Sequence, residues 1–375
     1  MKLKKLTIDA YRNLERTELS FGDRFNIFHG NNAQGKTNLL ESIYLLGTLK
    51  SFRQAKNSEL IRWGEPSAIL RGWVEKDGVT REIALLLEKQ GKKVRVDRKS
   101  VARLADFFGS LNVVIFSPDE MAMAKGMPDG RRRFLDRAIF SGDPEYLHLH
   151  HDYYLILKNR NSILKQGDTG DLGVWSEKLA EAGARLIMKR VSYLEEIEPL
   201  LNECYRAIAG SGEEVGMRYL SHMPDGERTL QGWCRRLSDA LAKGASEEKR
   251  RGMTLAGPHR DDLDFTLNGM SLKRFGSQGQ QRSFVLALKM AEINYLEETF
   301  GSPPILLLDD MTSELDRGRN RNLMEFLERK QMQVFITTTS LQNILLQESE
   351  QHRTFSVDAG RVLLETRGNN DRPNQ

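Results

Sequence analysis

The sequence predicts an α/β fold. A phosphate-binding lobe with an antiparallel β subdomain is built from both chain ends, and a mainly helical second lobe is inserted between them, with no long coiled coil. Three observations carry that expectation. Residues 30–37 read Gly-Asn-Asn-Ala-Gln-Gly-Lys-Thr, which fits G-x-x-x-x-G-K-[ST] at every fixed position. Residues 68–101 alternate around Asp77-Gly78, the pattern of an antiparallel meander. From Asp119 to about residue 250 the apolar spacing is helical, and later an apolar run, Ile305-Leu306-Leu307-Leu308, delivers Asp309 and Asp310.

Taken in order, Leu3 to Ile8 alternates like a strand, Tyr11-Arg12-Asn13 breaks the pattern, and a second pair of strands runs to Phe28. The octapeptide follows. Its two glycines let the backbone turn tightly, so that successive N–H groups converge on phosphate oxygens. Lys36 is expected to reach the β- and γ-phosphates of a nucleoside triphosphate, with the Thr37 hydroxyl on Mg²⁺. Asn38 to Ile43 carry helical spacing, and a helix N-terminus favours anions. Strand, loop and helix thus fall in the order the chemistry needs.

Ala68–Glu75 and Arg81–Leu87 form the expected hairpin, Val94-Arg95-Val96 follows a turn at Gln90-Gly91, and Val113–Phe116 reads as a buried strand stopped by Ser117-Pro118. A long amphipathic stretch from Val174 to Ala209 is expected to be interrupted at Pro199. The loop Gly210–Glu214 and the segment His222–Glu227 separate shorter pieces. Strand signals return at Leu263–Leu267 before Asn268-Gly269, a hairpin turn. A helix from about Gly279 to Phe300 ends at Gly301 with Pro303-Pro304 behind it, and Val334-Phe335-Ile336 is a second short apolar run. The expected boundaries are 1–118 with 290–365 for the first lobe and 119–289 for the second, which carries a signature motif, followed by a polar tail at 366–375.

At 375 residues, with 39% hydrophobic and 29% charged side chains, the chain is long enough for two lobes with real cores. No apolar run approaches bilayer length, the N-terminus lacks a secretion signal, and Cys204 and Cys234 match no metal spacing. A cytoplasmic protein with reduced thiols and no membrane partner is expected. Net charge is only +4, yet Lys89, Lys92, Lys93, Arg95, Arg98, Lys99 and Arg103 crowd one segment. Arg131-Arg132-Arg133 and Lys249-Arg250-Arg251 form two more clusters, so a polyanion partner is worth testing. Arg131, Arg132 and Arg133 either grip DNA phosphates or tie a helix to acids such as Asp129 and Asp136. His148, His150 and His151 share no helix face and give no metal shell.

Two motifs join the octapeptide. Asp309 ends a hydrophobic strand where ligands of open α/β sheets bind, and is expected to hold Mg²⁺ opposite Thr37. Asp310, next to it, is expected near the γ-phosphate, orienting or deprotonating the attacking water. Ser277-Gln278-Gly279-Gln280-Gln281 opens a helix thirty-two residues before Asp309, a second phosphate-binding device.

Together with Ser313-Glu314-Leu315-Asp316, these motifs resemble the ABC-type ATPase heads of SMC and Rad50 proteins. Pro118-Asp119-Glu120, Gly126-Met127-Pro128 and Arg131 to Asp136 resemble one signature of the RecF recombination proteins, and Gly257-Pro258-His259-Arg260-Asp261-Asp262 resembles the other. The resemblance spans the chain to about residue 365. It implies a DNA-binding protein of recombinational repair, replication restart and the SOS response, dimerising on ATP and hydrolysing it slowly. It implies RecR, RecO and RecA as pathway partners, with DNA bound as duplex and at single-/double-strand junctions near gaps. By motif, Gly30, Asn31, Asn32, Ala33, Gln34, Gly35, Lys36 and Thr37 would bind ATP, with Thr37 and Asp309 on Mg²⁺. The resemblance also implies that Arg12 reaches the nucleotide, that Ser277 and Gly279 meet a partner subunit's γ-phosphate with Gln280 also at the nucleotide, and that Asp316 lines the dimer seam. Lys36, Asp309 and Asp310 would carry catalysis, and Lys92 and Lys93 join Arg131–Arg133 as DNA candidates.

Two departures from the family pattern point to slow turnover. Asp310 stands where related heads have Glu, one methylene longer, and Thr337-Thr338-Thr339 stands where many carry a phosphate-sensing His. A weak, DNA-stimulated ATPase is therefore expected. Gln54 and the Phe116–Asp119 turn are both candidates for the switch-loop position. His259 and Arg260 have no chemical role that the sequence alone supplies. An SMC/Rad50-like scaffold and a transporter-type ATPase subunit are the competing readings. A nuclease is disfavoured, because no acidic metal-binding module follows the ATPase motifs.

Overall fold

Leu3 and Leu6 are both buried although their spacing is odd, because β1 (Lys2–Asp9) carries a bulge between Leu3 and Lys5 that resets the alternation. This is a computed structural model, and it describes residues 1–103, 106–167, 170–210, 212–310, 315–344 and 351–365. Ser313 and Glu314 of the seam motif and the 366–375 tail lie outside the described residues. The chain divides into two compact units, Met1–Glu120 with Leu296–Gln375, and Met121–Tyr295.

In the first unit β1 joins β2 (Thr17–Ser20), β4 (Ser67–Lys76), β5 (Val79–Glu88), β6 (Gly91–Val96) and β7 (Lys99–Ser100) in an antiparallel sheet ordered β2-β1-β4-β5-β6-β7. Asp77 and Gly78 have φ of 51° and 77°, the two positive values a tight hairpin turn requires. The second sheet is ordered β15-β14-β3-β13-β12-β8. Its strands are β3 (Phe25–His29), β8 (Val113–Phe116), β12 (Ile305–Asp309), β13 (Val334–Thr338), β14 (Arg353–Asp358) and β15 (Arg361–Leu364). Its neighbours are parallel apart from the antiparallel β14–β15 pair. The residues of β8, β12 and β13 are buried throughout, which is why those strands begin as continuous apolar runs rather than alternating ones.

Helix α1 (Lys36–Thr48) touches β4 and β5 of one sheet and β8, β12 and β13 of the other. Leu39, Leu40, Ile43, Tyr44, Leu45 and Leu46 are all buried in one core with Leu6, Leu70, Leu85, Ile115 and Leu307. A helix buried on nearly every side has little amphipathic contrast, as this sequence has. Short helices α2 (Asn57–Leu60) and α3 (Pro118–Met121) precede the second unit, and α10 (Arg317–Lys330) returns between β12 and β13.

The second unit holds α4 (Pro128–Gly142), α5 (Pro144–Gln166), α6 (Leu172–Ala209) and α7 (Leu230–Arg251). It also holds β9 (Val215–Leu220), β10 (Asp262–Leu267), β11 (Met270–Ser271), α8 (Leu272–Phe275) and most of α9 (Gln278–Phe300). Its three strands are ordered β11-β10-β9 among the described residues. Buried ion pairs among its described helices include Arg190 on Asp136 at 2.7 Å, Arg160 on Glu248 at 2.7 Å and Lys289 on Glu292 at 2.8 Å.

Three features depart from the sequence expectation. Helix α6 runs through Pro199 without a break. Pro199 and Glu195, the residue whose carbonyl loses its donor, are both exposed, so water replaces the missing bond. Tyr193, Leu194, Ile197, Leu201 and Tyr205 continue the buried face across it. Strand β9 lies between the two separating segments, inside the stretch expected to be mostly helical. Its Gly216 packs close to α6: a Cβ there would stand 2.6 Å from Glu198 Oε1, the end of a flexible side chain. The β14–β15 hairpin was not anticipated either, although Phe355, Val357 and Val362 alternate around Ala359-Gly360.

Candidate active site

The site grows from the C-terminal edges of β3, β12 and β13. Gly30 leaves β3 with φ of 148°, and a Cβ there would fall 2.3 Å from the Val357 carbonyl oxygen of β14, so only glycine fits. Ala33 and Gly35, with φ of 64° and 117°, complete the turn into α1. Lys36 curls back over this loop, its Nζ donating to the Gly30 carbonyl at 2.6 Å and the Asn31 carbonyl at 2.8 Å. Burial pushes its ammonium pKa down, against the opposing charges of Asp310 and Asp309.

Asp309 Oδ1 accepts hydrogen bonds from two hydroxyls, Thr37 at 2.8 Å and Thr337 at 2.9 Å. Burial raises the pKa of this carboxyl, and the two hydroxyls pull it back. Thr337 Oγ1 also accepts from the Asp310 main-chain N–H at 2.9 Å. One threonine therefore ties the Asp309 carboxylate to the Asp310 main chain, and Asp310 sits at a left-handed φ of 51°. These groups line a cavity of about 630 Å³ together with Asn32, Ala33 and Gly35 of the loop. Carboxylate and hydroxyl oxygens of Asp309 and Thr37 are the hard donors a magnesium ion takes, so the residues present fit that ion.

The structure does not bring every expected residue there. Arg12, expected at the nucleotide, is held by the fully buried Glu41 through two bonds of 2.9 and 3.1 Å, and its neighbour Asn13 lines the cavity instead. Burying a lone Glu41 carboxylate is prohibitive, so the guanidinium answers that charge. Arg53, which no motif marks, lines the cavity and bonds Asn38 Oδ1 at 3.2 Å. Gln54 is not among the lining residues, whereas Ser117, Pro118 and Asp119 are. Gln34 and Asn31 do not line the cavity either.

The other expected residues are elsewhere. In the second unit Ser277 and Gln280 form a reciprocal cap on α9. Gln280 N donates to Ser277 Oγ at 3.2 Å and Ser277 N to Gln280 Oε1 at 2.9 Å. Ser277 is exposed and Gly279 half-buried, so this helix start faces solvent. Asp316, exposed, caps α10 by accepting from Arg319 N at 2.9 Å.

Of the DNA candidates, two are spent on the fold. Arg131 is only 4% exposed, its guanidinium gripping Asp262 bidentately at 2.8 Å and donating to the Gly126 carbonyl. Lys92 Nζ donates to the Leu49 carbonyl at 2.6 Å, and burial lowers its pKa. Arg132 donates to the Asp261 carbonyl at 2.7 Å and is mostly covered. Lys93 and Arg133 are at least half exposed, paired with Glu88 and Asp129. His259, left without a role by the sequence, accepts from the Tyr153 hydroxyl at 2.6 Å, and its other ring nitrogen faces the Thr254 carbonyl at 3.3 Å. Burial pushes its pKa down to about 4, so it is a neutral structural bridge.

Fold and site together define an ABC-type ATPase head. The family described as RecF/RecN/SMC N terminal domain matches residues 2–362. The fold is also that of the Smc head domain derived from Pyrococcus furiosus, at a TM-score of 0.53 and 14% identity, covering 97% of this chain and 95% of that one. Within that class the chain belongs to the RecF family. It is 62% identical over 363 residues to the DNA replication and repair protein RecF of Geotalea uraniireducens (strain Rf4), covering 97% of this chain and 100% of the relative. It superposes with a TM-score of 0.88 on the recombination mediator protein RecF-ATP in the RecFOR pathway, at 34% identity and 97% coverage of each chain.

Proposed function

We propose that this protein is an ATP-dependent DNA-binding protein of recombinational repair and replication restart, acting with RecO and RecR to load RecA at single-stranded gaps. The observation that carries the reading is the convergence of Lys36, Thr37, Asp309 and Asp310 on one cavity, with Asp309 Oδ1 held by Thr37 and Thr337. Membership of the RecF family and the likeness to an ATP-bound RecF support it.

Lys36 exchanges its two carbonyl partners for phosphate oxygens when ATP enters, while the main-chain N–H groups of the loop cradle the β-phosphate. Thr37 and Asp309 would hold a magnesium ion, which when bound neutralises developing charge on the phosphates. Asp310 orients the attacking water and takes its proton. Its short side chain reaches less far than a glutamate, which keeps turnover slow. Ser277, Gly279 and Gln280 are exposed enough to meet the γ-phosphate held by a second copy, so ATP joins two subunits around DNA. Lys93 and Arg133, exposed and paired with exposed acids, contact phosphate backbone.

ATP turnover of the purified protein, with and without gapped DNA, tests the reading. Wild type turns over slowly, well below about 10 per second, and DNA accelerates it. Lys36→Arg retains ATP binding and loses turnover by at least about a hundredfold. A fast, DNA-indifferent ATPase, or a Lys36→Arg protein as active as wild type, contradicts it.

A further inference from the structure

Gln34 belongs to the phosphate loop, yet its side chain is directed onto the turn of the β14–β15 hairpin, where its Oε1 accepts from Ala359 N at 2.6 Å. Its main-chain carbonyl accepts from Gly360 N at 2.9 Å and from Asn13 Nδ2 at 3.3 Å. The turn is shaped for this contact: Ala359 and Gly360 have φ of 47° and 86°, which presents both N–H groups to the loop.

The approach is as close as backbone allows. A Cβ on Gly360 would lie 2.0 Å from the Asn13 carbonyl oxygen, and a Cβ on Gly30 would lie 2.3 Å from that of Val357. Gly30 opens the octapeptide and Gln34 is its fifth residue, so one hairpin touches the loop at its start and at its middle. The far side is anchored as well, Glu15 N donating to the Gly360 carbonyl at 3.1 Å and Arg361 Nε to Glu15 Oε2 at 3.0 Å. None of these hairpin residues lines the cavity.

We propose that the C-terminal hairpin is a strap that sets the phosphate loop in its binding geometry, with Gln34 as the positioning residue through which it acts. The inference rests on the nucleotide reading of the cavity. A loop whose N–H groups must converge on one phosphate loses less freedom on binding if its shape is already imposed. Coupling of this kind is reciprocal, so a bound nucleotide must in turn steady the hairpin.

The test uses the full chain and the fluorescent analogue mant-ATP. Gln34→Ala and Gly360→Ala each raise the Kd about tenfold, the scale of one lost hydrogen bond. The double variant binds no worse than about threefold below the weaker single one, because both break the same strap. In wild type, saturating nucleotide slows amide hydrogen exchange at Ala359 and Gly360, and this readout stands even if a variant fails to fold. Unchanged exchange at both amides overturns the strap, as does a folded Gln34→Ala protein within twofold of wild-type affinity. Wild type that binds no mant-ATP overturns the nucleotide reading, and the strap with it.

Discussion

At the scale of single residues, the site hinges on Thr337. Its hydroxyl donates to Asp309 Oδ1 and accepts from the Asp310 main-chain N–H, so one side chain holds one carboxylate and the backbone that carries the other. Thr337→Val keeps the shape and removes both bonds. Turnover is expected to fall about tenfold to a hundredfold, the effect of a lost hydrogen bond to a charged group, while mant-ATP affinity changes by less than about threefold, since Lys36 and the loop still grip the phosphates. Steady-state kinetics beside a binding titration checks this. His259 makes a second prediction. Unfolded, an imidazole gains its proton near pH 6.5, but burial holds this one back to about 4. Between those values the unfolded chain binds more protons than the folded one, so stability falls as pH drops from 6.5 to 4. Urea midpoints across that window should show a shallower slope for His259→Gln than for wild type. Lys36, Thr37, Asp309 and Asp310 stand out in the sequence because phosphate chemistry fixes their spacing. The diversion of Arg12 to Glu41 does not, because a buried carboxylate on α1 has no signature until the helix is packed. The same holds for Arg131, whose partner Asp262 is 131 positions away.

At the scale of elements, periodicity marks what is regular and misses what packing overrides. The β4–β5 hairpin is legible from its alternation and its Asp77-Gly78 turn, and β12 from its unbroken apolar run. Helix α6 reads as two pieces because a proline usually ends a helix, and sequence does not say that Glu195 and Pro199 face water. Pro199→Ala restores one main-chain bond on that exposed face. It is expected to stabilise the protein by up to about 3 kcal/mol, raising the urea midpoint with no change in slope. A lower midpoint would mean the proline is needed for a bend that the packing uses. Strand β9 escapes notice because Val215-Gly216-Met217-Arg218-Tyr219-Leu220 carries a glycine, whose close packing on α6 the sequence does not show.

At the scale of the whole molecule, the proposed function assigns the chain two phosphate-binding devices. The cavity of the first unit is built by Lys36, Thr37, Asp309 and Asp310, and the solvent-facing start of α9 in the second by Ser277 and Gln280. The proposed function requires that the second device of one copy serve the first of another. Sequence motifs place both devices, but they do not say which surface stays open; the exposure of Ser277 supplies that. Sedimentation of wild type and Ser277→Arg, with and without ATP, asks the question most directly. Wild type should shift from monomer to dimer on adding ATP, and Ser277→Arg should bind ATP and remain a monomer. A Ser277→Arg protein that pairs as wild type does, or a wild type that sediments alike with and without ATP, contradicts the account.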